Sequence, residues 1–550
     1  MGRAQTPADE LGRQRDLYGV RPSRRTLLGI EPPAGLRGLR CRVHRNHGFE
    51  LVESVLAPYL AHAGLGAEFR VGAYDDSLTF DLEGAADLEV VWLDLARYAE
   101  DLDLSAWLDG RLADLAARTD APILVVALDD DERLRVTPRP GLFVSGLDDV
   151  AREVGERFLD PARAALTGTR LSGDACVAVA RRLGAQWIPG ILLPPVKALV
   201  LDLDQTLYGG VLGEDGSAGV ALTAGHLALQ RHVRSLREAG VLLCLASRND
   251  EVDVRALFEA REDFPLRWDD FDHRGIGWQA KADTVRAAAA AFRVGVDALL
   301  VVDDNPGELL SIAAEVPDVR LLHAGPDGED TLRALRRFPG LHRWRGVAED
   351  ALRAADLRTQ SERAAVRAAS TGDDYLRSLG VELTFAFDGD VGVARAAELA
   401  AKTNQFNLAL ARTGERELAG YAAAPDRGLA TVALRDRLSD SGVVGLVAAR
   451  LDGTTLVLEE VCISCRALGR GVEESIVLHA CAHIARLLGA DALEFVVDVG
   501  PRNEPALHWL RDLDDTSWDG GPGRARRTTV DPPATPHVAL HGIPRPTTSP

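Results

Sequence analysis

Two kinds of apolar spacing divide the chain. Up to about residue 345, short and nearly continuous apolar runs at 88–93, 123–128, 198–201, 241–246 and 298–302 alternate with longer stretches of helical spacing. A strand without polar alternation is covered on both faces, so this pattern predicts parallel sheets sandwiched between helices. Two such α/β units fit, roughly 39–190 and 195–345. From about 375 the runs at 382–387, 430–434, 442–449 and 455–461 follow one another with few helices between them. That change predicts a third domain, 375–518, of antiparallel strands closed by a helix at 471–488. Residues 1–38 are rich in Arg, Pro and Gly without a period, and 520–550 are rich in Gly, Pro and Thr, so both read as flexible ends.

Composition narrows the class. At 550 residues, 46% hydrophobic and 27% charged, the chain is globular and exceeds what one core organises. The net charge of −20 offers no field for a phosphate backbone, so nucleic acid is not an expected partner. No apolar run is long enough to span a bilayer, so no membrane association is expected. Six cysteines are too sparse for a disulfide framework, which predicts a reducing, cytoplasmic setting. Only three lysines occur, Lys197, Lys281 and Lys402, against sixty arginines. Where arginine is so dominant, a retained lysine points to chemistry that needs a compact point charge. Asparagine is nearly as rare, with six residues: Asn249, Asn305, Asn404, Asn407 and Asn503 lie in or beside candidate motifs, and Asn46 is the exception.

The run 198–201 ends in Asp202-Leu203-Asp204-Gln205-Thr206. Two carboxylates at the carboxyl end of a parallel strand lie where open α/β sheets bind ligands. One can attack a phosphoryl group while the other handles the leaving-group proton, provided a cation screens them. Ser247 then ends the run 241–246, Lys281 opens a helix, and Asp303-Asp304-Asn305-Pro306 ends the run 298–302. Hydroxyl and lysine can hold phosphoryl oxygens, and the last acidic pair can complete an oxygen-ligand Mg²⁺ site.

This four-part order resembles the haloacid dehalogenase-like (HAD) superfamily. The string from Lys197 to Gly216, together with Lys402-Thr403-Asn404-Gln405-Phe406-Asn407, Asp436-Arg437-Leu438-Ser439-Asp440-Ser441-Gly442 and Ser464-Cys465-Arg466-Ala467-Leu468-Gly469-Arg470-Gly471, is similar to the FkbH-like branch, subfamily IIIC. The resemblance implies Asp202 as phosphoryl-accepting nucleophile and Asp204 as general acid/base. It implies Thr206, Ser247 and Lys281 as phosphate holders, with Asp202, the backbone carbonyl of Asp204, Asp303 and Asp304 around Mg²⁺. The gaps between these elements leave no room for a cap domain. The implied layout is multi-domain α/β: a Rossmann-like HAD core, an SGNH-like α/β domain before it and a GNAT-like α+β domain after it.

The activity implied is removal of phosphate from a three-carbon phosphorylated acid of the 1,3-bisphosphoglycerate type. Its glyceryl unit would pass to an acyl carrier protein in polyketide or other secondary-metabolite biosynthesis. The branch usually carries a thioester-forming cysteine immediately before the serine of the second motif. Here that position is Ala246, leaving Cys244 and Cys465 as candidate thiols. Two alternatives follow: phosphatase action or acyl transfer to an amine or other small acceptor, and a non-catalytic carrier-docking scaffold. Arg466, Gly469, Arg470 and Gly471 form an R-x-x-G-x-G at a strand-to-helix junction, which with Asn503 suggests a site for coenzyme A or a carrier's phosphopantetheine arm. In the N-terminal domain Arg42-Val43 is followed by His44 rather than a nucleophilic serine, so that domain is expected to be non-hydrolytic. A metal site at His44 and His47, or at Cys462 and Cys465, or at His479 and His483, lacks evident further ligands.

Overall fold

The computed structural model describes residues 6–20, 22–81, 83–128, 135–344, 372–468, 470–500, 502–535 and 537–543. The chain forms two compact units, one of Met1–Arg237, Val241–Ala291 and Val296–Gly346, the other of Glu238–Gly240, Phe292–Gly295 and Val347–Pro550.

The first unit contains two five-stranded parallel sheets. The first is built from β1 (Arg37–Arg45), β2 (Leu65–Tyr74), β3 (Leu88–Asp94), β4 (Ile123–Leu128) and β5 (Leu142–Gly146), in the order β2-β1-β3-β4-β5. The second is built from β6 (Ala198–Leu201), β7 (Leu242–Ser247), β8 (His273–Ile276), β9 (Leu299–Asp303) and β10 (Arg320–His323), in the order β10-β9-β6-β7-β8. In β3, β4, β6, β7 and β9 every residue is buried, as the unbroken apolar runs predict. The spacing did not announce β1, an inner strand whose apolar run is broken by arginines and a histidine, nor the edge strands β2, β5, β8 and β10, which are only part-buried.

The two sheets do not form separate bodies as their sequence spacing suggested. One core runs from Leu39 through Val196 to Leu341, because the stretch Arg182–Trp187 and the strap at 341–344 pack between them. The Trp344 indole donates to the Trp187 carbonyl at 3.1 Å and its ring lies 5.4 Å from Phe143.

The N-terminal segment also departs from its expected flexibility. Pro7–Tyr18 is a helix begun by a capping box between Thr6 and Asp9, with Leu11, Gln14, Leu17 and Tyr18 buried. Gln14 is the anchor: its Nε2 donates to the Leu321 carbonyl at 2.7 Å and its Oε1 accepts from the His323 amide at 3.0 Å. Composition missed this because a few well-placed side chains, not average hydrophobicity, dock the helix.

The second unit is one eight-stranded sheet of β11 (Val381–Phe387), β12 (Arg427–Arg435), β13 (Asp440–Asp452), β14 (Thr455–Ile463), β15 (Ala492–Val497), β16 (Thr516–Ser517), β17 (Gly523–Arg527) and β18 (Val538–His541). Its order is β16-β17-β15-β14-β13-β12-β11-β18. The meander β11 to β14 is antiparallel as expected, but β14 runs parallel to β15 and β11 parallel to β18. The helix Glu473–Leu488 makes the β14-to-β15 crossover that a parallel pair requires. Two segments beyond residue 520 are therefore strands, which the composition of 520–550 did not announce. β17 pairs with β15 and β18 with the β11 edge, through main-chain hydrogen bonds that leave no compositional trace.

Candidate active site

The second sheet places the site. β6 is central, the chain winds outward through β7 and β8, then returns to the other side of β6 with β9 and β10. The crevice where strand order reverses therefore opens between the carboxyl ends of β6 and β9. Asp202 follows β6, and Asp303 ends β9. Register alone sets them side by side: Leu201 pairs with Val302, and the Asp202 amide donates to the Val302 carbonyl at 3.0 Å.

Lys281 opens the helix Lys281–Phe292 and lies between the two carboxylates. Its Nζ is 2.8 Å from Asp202 Oδ1 and 2.6 Å from Asp303 Oδ2. All three side chains are buried. Burial pushes the Asp202 carboxyl up to about 7, with Lys281 pulling it down and Asp303 pushing it further up. Burial opposes the charge on Lys281, yet the two carboxylates hold its pKa above the ordinary lysine value. Asp304 is raised as well, first by burial and then by Asp303.

Carboxylate oxygens of Asp202, Asp303 and Asp304 come within 4.8 Å of one another, the all-oxygen donor set that suits Mg²⁺. Thr206 adds a second sign that a ligand belongs here, because its hydroxyl is buried without a hydrogen-bond partner. The preceding Gln205 is held at φ 56°, a left-handed conformation that a non-glycine residue adopts only when its surroundings impose it.

The Asp204 side chain is not part of the carboxylate trio. Its Oδ1 accepts from the Tyr208 hydroxyl at 2.7 Å and the Leu212 amide at 2.9 Å, and its Oδ2 accepts from Asn249 Nδ2 at 2.8 Å. Asn249 also donates to Ser247 Oγ at 2.9 Å, so it couples the two motifs. Asn305 caps the helix Pro306–Glu315 through its Oδ1, while its amide donates to Asp303 Oδ1 at 2.9 Å. The rarity of asparagine singles out both residues, and their hydrogen-bond partners emerge only in three dimensions.

Two other groups of predicted residues are placed differently. Cys244 sits in mid-β7, wholly buried in the core, and burial pushes its thiol far above the ordinary range. Cys465 is the one cysteine that is not buried. In the second unit, Arg470 is committed internally, at 2.6 Å from Asp436 Oδ2 and 2.8 Å from Ser441 Oγ, both buried. Asn503 is equally committed: Nδ2 donates to the Asn407 and Asp498 carbonyls, and Oδ1 accepts from the Gly500 amide. Arg466 is buried against Ser464 and the Val443 carbonyl. Gly471 adopts φ 75°, and Gly469 lies outside the described residues. Arg470 and Asn503 thus have internal partners, whereas Arg466 Nη1 is buried without a hydrogen-bond partner among the described residues.

The 404–410 segment also bonds within the second unit. Beyond Leu458 the pairing of β14 with β15 stops, and the Leu408 and Ile463 amides bond across to Val461 and Phe406, while the Asp498 amide donates to the Leu408 carbonyl. Asn407 Oδ1 accepts from the Leu410 amide and Asn404 Oδ1 from Arg412. Lys402 pairs with Glu398.

The polar cluster of the first sheet was not foreseen. Arg42 and His44 on β1 both bind Glu89 on β3, which is fully buried. Asn46 clasps the two strands by bonding the Asp94 carbonyl and amide, and Asp94 holds Arg170 at 2.6 and 2.9 Å. His47 bonds the Thr169 hydroxyl. Neither histidine faces a set of metal ligands: the carboxylate trio is the one candidate metal cluster among the described residues.

No family model matches the chain, and no curated protein matches it. Solved structures do. The N-terminal part of a Bacteroides fragilis protein containing a phosphatase domain, solved with Mg, is 18% identical over 60% of this chain and 99% of its own, with a TM-score of 0.47. The PaiA N-acetyltransferase of Thermoplasma acidophilum, solved with coenzyme A, is 12% identical over 21% of this chain and 70% of its own, with a TM-score of 0.17. An acetyltransferase of Bacillus cereus is 13% identical over 26% of this chain and 95% of its own, with a TM-score of 0.18. Among the described residues no helix is long and apolar enough to cross a membrane.

Proposed function

We propose that the crevice between β6 and β9 is a Mg²⁺-dependent phosphoryl-transfer centre. The observation that carries this is Lys281 bridging Asp202 and Asp303 beside Asp304, with the orphaned Thr206 hydroxyl at the same turn. Asp202, Asp303 and Asp304 would hold the ion, which supplies charge neutralisation for the incoming phosphoryl oxygens. An Asp202 carboxylate oxygen attacks phosphorus, the bond to the leaving oxygen breaks, and Lys281, Thr206 and Ser247 hold the phosphoryl oxygens. Asp204, oriented by Tyr208, Asn249 and the Leu212 amide, serves the leaving oxygen and then the water that cleaves the aspartyl-phosphate.

The finer reading rests on the FkbH-like resemblance: the substrate is a three-carbon phosphorylated acid, and its glyceryl unit passes to the thiol of an acyl carrier protein. With Cys244 buried and Ala246 at the family's cysteine position, transfer runs directly to the carrier thiol: its thiolate attacks the acyl carbon and expels the C1 phosphate as inorganic phosphate, while the Asp202 centre removes the phosphate ester at C3. The same observation favours a second reading, hydrolysis of a small phosphate ester with no acyl acceptor. The test has two stages. Mg²⁺-dependent phosphate release from 1,3-bisphosphoglycerate or acetyl phosphate should vanish in Asp202→Asn, and retention of activity there overturns the centre. Mass spectrometry of a holo carrier protein then separates the readings: a glyceryl adduct supports transfer, and phosphate release without adduct supports hydrolysis.

A further inference from the structure

Arg248 stands between Ser247, which ends β7, and Asn249, which holds Asp204. Its guanidinium reaches Glu308 in the first turn of the helix Pro306–Glu315, with Nη2 at 2.8 Å from Oε1. Strand order gives this ion pair its place. β7 and β9 flank β6, about 10 Å apart, and the chain leaves them in opposite directions along the sheet. Right-handed crossovers therefore send the helices Glu251–Ala260 and Pro306–Glu315 to opposite faces. An ion pair between the loop that opens the first helix and the first turn of the second spans the crevice in which Asp202, Lys281 and Asp303 meet.

Two observations make the pair exchangeable. The Arg248 side chain is 47% exposed and that of Glu308 17%, and a pair so open to water adds little to stability. The charge inside the crevice also calls for a further cation. Asp202, Asp204, Asp303 and Asp304 gather there, and Lys281 already serves two of them. With the ion bound, two charges on Mg²⁺ and one on Lys281 at most balance these acids and leave no surplus for a second anionic group on the substrate. We infer that Arg248 is the specificity-determining cation of the site: Glu308 holds it across the crevice in the free protein, and the anionic far end of a short phosphorylated substrate displaces Glu308 and takes the guanidinium. The planar fork of arginine suits a carboxylate or a phosphate in this exchange. The inference rests on the phosphoryl-transfer reading of the Asp202 centre and adds the residue that reads the end of the substrate away from the reacting phosphoryl group.

Calorimetric titration of the full chain carrying Asp202→Asn, with Mg²⁺ present, reads binding without turnover. Three probes share one skeleton: glycerol 3-phosphate ends in a neutral hydroxymethyl group, 3-phosphoglycerate in a carboxylate and glycerol 1,3-bisphosphate in a second phosphate. At least one doubly anionic probe should bind at least ten-fold more tightly than glycerol 3-phosphate, and the tighter of the two identifies the group that Arg248 takes. Arg248→Met, a change at an exposed side chain, should reduce that preference to about two-fold or less. Glu308→Gln keeps the shape of the partner without its charge and should tighten the preferred probe about two- to five-fold; unchanged or weaker binding there overturns the exchange. A parent that binds the three probes alike or not at all, or a preference that survives Arg248→Met, overturns the inference. Because this form releases no phosphate, that failure is distinct from failure of the Asp202 centre, which is read from phosphate release by the unsubstituted chain.

Discussion

At the scale of single residues, the site is a compromise between three acids and one base. Lys281 has to neutralise Asp202 and Asp303 at once, and arginine, with its broad planar head, cannot take that position between two buried oxygens. Thr206 is the sharper case. A buried hydroxyl without a partner is a cost in the free protein. Thr206→Val should therefore leave stability unchanged or raise it slightly in urea unfolding while lowering Mg²⁺-dependent phosphate release at least ten-fold. Cys244→Ala should leave phosphate release within about two-fold, since the thiol touches only core; a large loss would return it to the chemistry. Arg470→Met strands the buried Asp436 carboxylate and should cost about 3–5 kcal/mol by urea unfolding, with the double variant Arg470→Met/Asp436→Leu recovering most of it. The meeting of Asp202, Lys281, Asp303 and Asp304 was legible in sequence because acids and a rare lysine end or follow the buried strands; the partners of Arg470 and Asn503 were not, because they lie far off along the chain.

At the scale of elements, close approach decides what register alone leaves open. The helices Ala224–Glu238 and Gly328–Arg337 touch at their first turns, where a Cβ on Gly328 would lie 2.3 Å from the His226 amide nitrogen and one on Gly225 2.6 Å from the Glu329 amide nitrogen. Both contacts are to backbone, so no rotamer change relieves them. Gly328→Ala should cost about 1–3 kcal/mol in urea unfolding, and an unchanged midpoint would mean that the helices separate freely. The buried strands were readable from unbroken apolar runs. The edge strands and the N-terminal helix were not, since an edge strand is held by main-chain bonds and that helix by a few buried side chains, the two Gln14 bonds and Arg337 donating to the Tyr18 and Gly19 carbonyls.

At the scale of the whole molecule, the first unit is built to fold above mildly acidic pH. Burial lowers His47 and His62 to about 4, so both are neutral in the folded state, while the unfolded chain protonates them near 6.5. Between those values the unfolded state binds more protons. Their contribution is thus complete above about pH 6.5 and is withdrawn as pH falls to 4, on the order of 3 kcal/mol for each. Glu89, although burial opposes it, is held below its ordinary value by His44 and Arg42, and its contribution is also lost on acidification. Thermal melts at constant ionic strength should show a falling transition from pH 7 to pH 4, less steep in His47→Gln. A flat profile would mean that these rings stay solvated. The sequence by itself determined the order of the four motif segments, the parallel character of the second sheet and the acids and lysine at its switch point, because hydrophobic period and residue chemistry are local properties. Tertiary structure alone decided that the two parallel sheets share one core, that Arg470 pairs with Asp436 and that the N-terminal helix docks on the end of β10 through Gln14. Those outcomes depend on which distant surfaces meet, and pairing over such separations has no periodic signature along the chain.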